Sequence, residues 1–386
     1  MMMQVFRDID VFPPGGSDRD GHVPEGGPLW PDFESQVEPR HCRNGRPVDL
    51  TPHSWDGPWE TVRTPVVWGG LLHPAFGHLV AEMTTRVPRS LLERPDDPFL
   101  FIARAGLTKD GLLPHVTPLL EWYGLPQDRW RLVETGLRVA ELRVAPQAEQ
   151  LSGVAPTPDH LEMMDRIAAR NALVPEVRPL LYVTRLGMIP RYAGGHAGES
   201  YLVERLIAAG VPVLDPAAAP LRAQLASYAG AATIVFAEGS AAHGRQLLGW
   251  RDQRIVILNR RPKFRLAEAA LRARVPHLDY VEATKHIVAG VRDDGVARVQ
   301  KGLAILDLDA LFATFAELGI DLAHDWDMAA YRTAVKADLA VWARMMAHFR
   351  SSTDVARTKE RIESALGAAG LAEYSATVIL EIMDGT

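Results

Sequence analysis

Between residues 180 and 258 the chain alternates short β-branched runs with longer runs of good helix formers. LLYVT at 180–184, VPVL at 211–214, TIVF at 233–236 and RIVIL at 254–258 have the length and composition of strands buried on both faces. Residues 199–209 and 220–229 between them are of helical length and composition, and Gly210 stands where a helix would stop. Strands and helices joined in this order by short loops admit few topologies: right-handed crossovers and a parallel sheet. The pattern predicts a Rossmann-like domain. Ligands of such sheets sit at the carboxyl ends of the strands, so the pattern also predicts where chemistry belongs.

Two stretches lie at that edge. TIVFAEGSAAH, 233–243, reads as a strand, a tight turn at Glu238-Gly239-Ser240 and a helix from Ala241. It would place Glu238, Gly239, Ser240 and His243 at the mouth, with backbone N–H groups and the positive end of a helix aimed at a ligand. A plain turn, with Ser240 as N-cap and Glu238 in solvent, fits the same residues. The loop RLGMIPRYAGGHAG, 185–198, carries Arg185, Arg191, Gly194, Gly195 and Gly198. Arginine pairs with phosphate oxygens in a fork geometry, and glycine lets the backbone come close to a ligand. The spacing is neither a dinucleotide fingerprint nor a Walker loop. A solvated surface loop is the competing reading.

Residues 61–170 read as a first α/β domain, with strands at 65–68, 99–103, 130–134 and 137–144 and helices at 76–92, 118–123 and 158–171. On the helix at 76–92, His78 and Glu82 stand four apart and share a face. A carboxylate beside an imidazole fixes its tautomer and raises its basicity, and a surface polar pair has the same spacing. Residues 171–300 form the Rossmann-like domain. Residues 1–60 are rich in Pro and Gly and read as an extended arm anchored by Trp30 and Phe33. Residues 301–386 read as helical. There Tyr331, Val335, Leu339, Trp342, Met346 and Phe349 make one apolar stripe, which predicts packing on a core, with an amphipathic helix on an anionic membrane as the alternative.

Composition removes several function classes. The net charge of −6 gives no global basic field for nucleic acid. The single cysteine, Cys42, excludes an internal disulfide or a cysteine-based zinc site and fits a reducing compartment. No run of about 18 apolar residues is present, and acids stand where a signal peptide would have its apolar core. A cytoplasmic protein is expected, with room for peripheral contact at the inner face of a membrane. Asp-x-Asp occurs at Asp8/Asp10, Asp18/Asp20, Asp307/Asp309 and Asp325/Asp327. Asp307/Asp309 is the best placed to hold a divalent metal on a diphosphate, but Asp is also the usual helix N-cap, so no metal and no cofactor are expected. A Gly-x-Ser-x-Gly elbow is missing, which argues against an α/β-hydrolase.

Taken in order, these stretches resemble glycosyltransferase family 61, whose bacterial members of capsular-polysaccharide type are also catalogued as domain of unknown function 563. The family's His-x-x-x-Glu/Asp helix after a Gly-rich turn is matched by Gly77, His78 and Glu82. Its strand ending in Arg before an Asn-Glu pair is matched by Tyr182, Arg185 and Glu199. Its Gly-(Val/Phe)-x-Val-x-Asp-Pro segment is matched by GVPVLDP, 210–216. Its strand with a His-Gly-Ala turn is matched at 238–243. The likeness spans about residues 65–260. Gly198 replaces the family's Asn, and Glu238 replaces the His before the glycine.

The resemblance implies a GT-B-like fold of two Rossmann-like domains facing across a cleft, with a helical C-terminal region. It implies inverting transfer of a sugar from a nucleotide-sugar donor to a hydroxyl of a glycan or other acceptor, as in polysaccharide biosynthesis. His78 and Glu82 would be the catalytic pair, with either as the base. Arg185, Arg191, Glu199, Glu238, Gly239, Ser240 and His243 would serve the donor. Two rival readings keep the architecture: a non-catalytic nucleotide-sugar or glycan-binding protein, and another sugar-nucleotide enzyme such as an epimerase.

Overall fold

In the computed structural model, which describes residues 2–16, 23, 25–52, 54–151 and 153–384, the alternating region becomes a five-stranded, all-parallel sheet. Across the sheet the strands run Val213–Leu214, Arg178–Val183, Ala231–Ala237, Arg254–Leu258 and His277–Val281. In chain order that is 2-1-3-4-5. The chain steps outward from Arg178–Val183 in one direction, then returns to build the rest in the other. The switch point of such a sheet lies between its first and third strands, at their carboxyl ends. Those ends lead directly into Thr184-Arg185 and Glu238-Gly239.

The long apolar runs follow from burial on both faces: Leu181, Tyr182, Ile234, Val235, Phe236 and Ile257 are fully covered. His277–Val281, by contrast, is a half-buried edge strand with a mixed sequence, and for that reason has no strand signature. The stripe on the helix Met328–Ala347 packs into the same core. Tyr331, Val335, Leu339, Trp342 and Met346 are buried there with Tyr182, Val235 and Phe315. Phe349 lies beyond the helix end and stacks on Tyr192 at 4.8 Å. A face already covered by the core cannot lie on a membrane, and among the described residues no helix is long and apolar enough to cross one.

The chain divides into two units. The unit just described takes residues 175–242, 252–266 and 275–386. The other takes 1–174, 243–251 and 267–274. Its sheet is mixed: Gly27–Pro28, Gln4–Phe12, Gly136–Val144, Val66–Leu72, Phe99–Ala103 and Trp130–Leu132 in order, with Trp59–Val62 also pairing with Gly136–Val144. Gln4–Phe12 runs antiparallel to Gly136–Val144, and the strands from there to Trp130–Leu132 are parallel. The protein is thus of mixed α/β class.

Several expectations need correction here. The segment read as an arm contributes Gln4–Phe12, a full strand whose exposed, charged half hides its pattern. Trp30 does anchor it, buried against Phe6 and the sheet. The short helix expected at 118–123 is the end of a longer one, Lys109–Tyr123. The single helix expected at 76–92 is three pieces: Phe76–His78, a π-turn over Leu79–Met83, and Val87–Glu93. Thr84 causes the break, since both its N–H (3.1 Å) and its hydroxyl (2.8 Å) bond to the carbonyl of Leu79. A π-turn of this kind is the usual form of a local insertion in a helix.

Candidate functional site

The π-turn buries Glu82 completely. Its carboxylate is surrounded. Arg43 donates from Nε to Oε2 at 2.8 Å and from Nη2 to Oε1 at 2.9 Å. His78 Nδ1 stands 2.6 Å from Oε1, and His41 Nε2 lies 3.6 Å from Oε2, an ion-pair distance. Burial by itself would push this carboxyl up. The contacts from His41, His78 and Arg43 outweigh it and hold the group well below the usual carboxylate range. The ionised form of Glu82 is thereby favoured. The ring of His78 is about a quarter exposed, at 26%.

Arg43 and His41 come from the stretch read as an arm. Arg43 sits on a hairpin of Cys42–Arg43 and Arg46–Pro47. Its turn, Asn44-Gly45, has φ of 53° and 80°. Asn-Gly between two short strands is a strong hairpin signal, so this element was readable, although its target was not.

His243 was expected beside Glu238 on a donor turn ahead of an α-helix. The helix that forms, Ser240–Leu247, is 3-10, and His243 falls in the first unit, buried. Its Nδ1 is 2.5 Å from Gln246 Oε1, and Gln246 Nε2 donates to Glu149 Oε2 at 2.7 Å. Glu149 is clamped in turn by Arg274 at 3.0 and 2.5 Å and lies 3.2 Å from His160. Burial pushes the His243 ring down, the charge of His78 adds to that, and Gln246, Glu149 and Glu82 oppose it. His243 thus belongs to the same unit as His78 and Glu82.

In the second unit, the switch point gathers Arg185, Glu199 and Glu238. The Arg185 guanidinium donates to the carbonyls of Gly194 (3.0 Å) and Ala193 (2.5 Å). It crosses so close over Gly239 that a Cβ there would fall 2.0 Å from Nη1. Only glycine fits. Glu199 is buried, and its Oε1 accepts from Tyr182 Oη (2.9 Å), Thr184 Oγ1 (2.8 Å) and the Arg185 N–H (2.8 Å). Gly198 before it has φ of 80°. A Cβ at this position would fall 2.3 Å from Tyr331 Cε2, so glycine serves both the backbone and the packing. Arg191 is exposed at the end of the 3-10 turn Leu186–Arg191.

Glu238 is not in solvent. It is fully buried, accepting the N–H groups of Arg260 (2.8 Å) and Arg261 (2.7 Å) and the Nε and Nη2 of Arg261, both at 2.6 Å. Arg260 in turn donates to the carbonyls of Val299, Gln300 and Gly302 at 3.0–3.2 Å. Burial and the Arg185 charge push Arg260 down to about 9. Burial pushes Lys301 down as well, helped by Arg185 and Arg298. His196 is buried, and burial, Arg260 and Arg185 lower it to about 3 against the backbone of Asn259, which opposes the fall. Cations thus outnumber ionised carboxylates at this edge of the sheet, and an anionic group placed there would relieve their mutual repulsion. Arg260 and Arg261 were missed, although they follow a predicted strand at its carboxyl end, where the same rule places ligands.

The Asp-x-Asp pairs have other work. Asp307 caps the helix Leu308–Glu317 by accepting the N–H groups of Asp309 and Ala310, and Asp327 caps Met328–Ala347 in the same way. Asp18/Asp20 lies outside the described residues. Among those described, no group of three or more His, Cys, Asp or Glu side chains is placed to hold a metal ion. A cavity of about 430 Å³ in the first unit, lined by Glu60, Arg63, Pro98, Arg129, Trp130 and Arg131, is touched by none of the candidate residues. No family model matches this sequence, and no curated protein matches it.

Proposed function

We propose that the chain is an inverting glycosyltransferase that moves a sugar from a nucleotide-sugar donor to a hydroxyl of a glycan or other acceptor. The observation that carries this reading is the His78–Glu82 contact: a partly exposed imidazole whose Nδ1 is held at 2.6 Å by a fully buried carboxylate. Such a carboxylate raises the basicity of the ring and fixes its orientation. The resemblance to family 61, and with it a GT-B-like arrangement, supports the same reading. So does the cation-rich switch point of the second unit.

In this mechanism the acceptor O–H gives its proton to the His78 imidazole as the oxygen attacks the anomeric carbon. The bond from that carbon to the diphosphate breaks, and its electron pair leaves with the nucleoside diphosphate. Glu82 keeps the ring oriented and stabilises the imidazolium. In the second unit, Arg185, Arg261 and Lys301 supply positive charge of the kind that stabilises a departing diphosphate.

Two variants test the halves separately. Arg185→Ala should weaken nucleoside-diphosphate binding by about 1.5–3 kcal/mol in calorimetry, the range for a charged hydrogen bond. His78→Ala should leave that affinity near normal and lower turnover by roughly 10²–10⁴-fold, as loss of a general base does. A parent protein that binds donor and never transfers sugar would establish the non-catalytic reading instead. Conversion of the donor sugar with no acceptor glycosylated would establish an epimerase.

A further inference from the structure

Two strands of the first unit lie end to end along one side of Gly136–Val144. Trp59–Val62 runs beside Gly136 to Val139, and Val66–Leu72 beside Leu142 and Arg143. The next strand out, Phe99–Ala103, begins opposite Val67. Among the described residues, no strand therefore lies on the other side of Trp59–Val62. An unpaired strand edge offers backbone N–H and C=O groups to a ligand. The cavity of about 430 Å³ lies at this gap in the sheet. Its far wall is Trp130–Leu132, which pairs with Phe99–Phe101, and the turn Gln127–Arg129 before it. Val66, Phe99 and Trp130 are each the first residue of a strand, so the cavity lies at the amino ends of the sheet. His78 follows the carboxyl end of Val66–Leu72, at the opposite edge.

The side chains around the cavity carry both signs. Arg63 is exposed and, among the described residues, is committed to no ion pair or hydrogen bond. Arg131 crosses the gap to Glu60 in a fork, at 2.8 and 2.9 Å. Arg129 uses one nitrogen on the Asp97 carbonyl at 2.8 Å, and the Asp97 carboxylate is already taken by Arg143. Asp128 is the second acid of the lining. Three guanidinium groups thus line the cavity with two carboxylates, and a positive charge is left over. The wall is held in place from behind. Lys109 Nζ donates to the carbonyls of Gln127 (2.8 Å) and Trp130 (2.7 Å) and sits 4.2 Å over the Trp130 ring. A preformed wall loses less entropy when a ligand arrives.

This mixture of groups selects its ligand. A plain anion would answer the surplus charge and leave Glu60 and Asp128 set against it. A neutral sugar would meet the acids with its hydroxyls and leave Arg63 without a counterion. We propose that the cavity binds a sugar acid, whose carboxylate pairs with Arg63 and Arg129 and whose hydroxyls bond to Thr61, Thr64 and the two acids. Charge-assisted hydrogen bonds of both kinds are the strong ones. Val62 and Pro98 supply apolar contact for the C–H face of the ring. The volume falls in the range of small-ligand sites, about 300–1,000 Å³. The site goes beyond the glycosyltransferase reading and depends on neither His78 nor Arg185.

The test titrates methyl β-glucuronide into the full chain by calorimetry. Methyl β-glucoside, which lacks the carboxylate, and acetate, which lacks the hydroxyls, are the comparison probes. The glucuronide should bind at least about tenfold more tightly than either, and Arg63→Ala should weaken it at least about tenfold, the effect of one lost charged hydrogen bond. Arg63 is exposed, so its loss should leave the unfolding transition where it was. Arg131→Ala releases Glu60 from its partner and should weaken the glucuronide as well. Amide NMR shifts should fall on Thr61, Arg63, Leu100 and Arg131, and excess nucleoside diphosphate should not displace the sugar acid. Acetate or the glucoside binding as tightly as the glucuronide would overturn the inference. So would no measurable binding, equal affinity in either variant, or shifts confined to other residues. Displacement by nucleoside diphosphate would put the sugar acid at the switch point of the second unit and overturn it too. None of these readouts needs sugar transfer, so the glycosyltransferase reading and this one fail separately.

Discussion

Two buried glutamates meet opposite fates. Glu82 is held low because the contacts from His41, His78 and Arg43 outweigh its burial. Glu199 is raised: burial disfavours its ionised form, and its three donors are neutral and crowd a single oxygen. The consequence reaches Asp338, whose Oδ2 accepts the Gly198 N–H at 2.8 Å. Burial raises this carboxyl to about 7, the Gly198 bond opposes the rise, and Glu199 adds to it. A folded state that prefers the protonated form gains stability at low pH. That gain is complete below the ordinary value of 3.8 and is lost as pH rises through about 7. Asp338→Asn keeps an acceptor for Gly198 and removes the titration. Its stability relative to the parent, read from urea midpoints, should be greater at pH 8 than at pH 5. Equal differences at the two values would mean that Asp338 is not the group responsible.

Among the elements, the helix Met328–Ala347 carries the heaviest packing duty. Trp342 is fully buried, and its Nε1 donates to the Lys301 carbonyl at 2.8 Å. Trp342→Ala should cost about 3–5 kcal/mol in chemical denaturation, the range for emptying an aromatic site in a core. Asp307→Ala should cost about 0.5–2 kcal/mol, as loss of an N-cap does, and leave transfer unchanged. A large loss of transfer with little loss of stability would instead point to a ligand role for Asp307. Strands buried on both faces, such as Ala231–Ala237, announce themselves in sequence because every position must be apolar. Gln4–Phe12 does not, because half of it faces water. The His78–Glu82 pair was visible because helix spacing is local, and it survived the π-turn. Arg43, Arg260 and Arg261 reach their carboxylates across 39, 22 and 23 positions, a separation that no local periodicity encodes.

At the scale of the molecule, neither unit is one continuous stretch of chain. The first is completed by residues 243–251 and 267–274. Those inserts bring Arg245, Gln246 and Arg274, and Arg274 is the cation that neutralises the buried Glu149. A fragment ending at residue 174 would bury that carboxylate with His160 as its remaining partner. Removing one member of a buried ion pair costs about 3–5 kcal/mol, so the fragment should show no cooperative unfolding transition. A sharp transition in the fragment would show that the inserts are dispensable.

The same separation sets a clock on biosynthesis. Glu149 leaves the ribosome 125 residues ahead of the arginine that neutralises it. At about 5–20 residues per second, that interval is on the order of 6–25 seconds. During it the half-made first unit holds a carboxylate whose arginine partner has not yet been made. This stretch of nascent chain is therefore the one most in need of a chaperone's protection, and slowed translation between the two codons should raise the misfolded fraction.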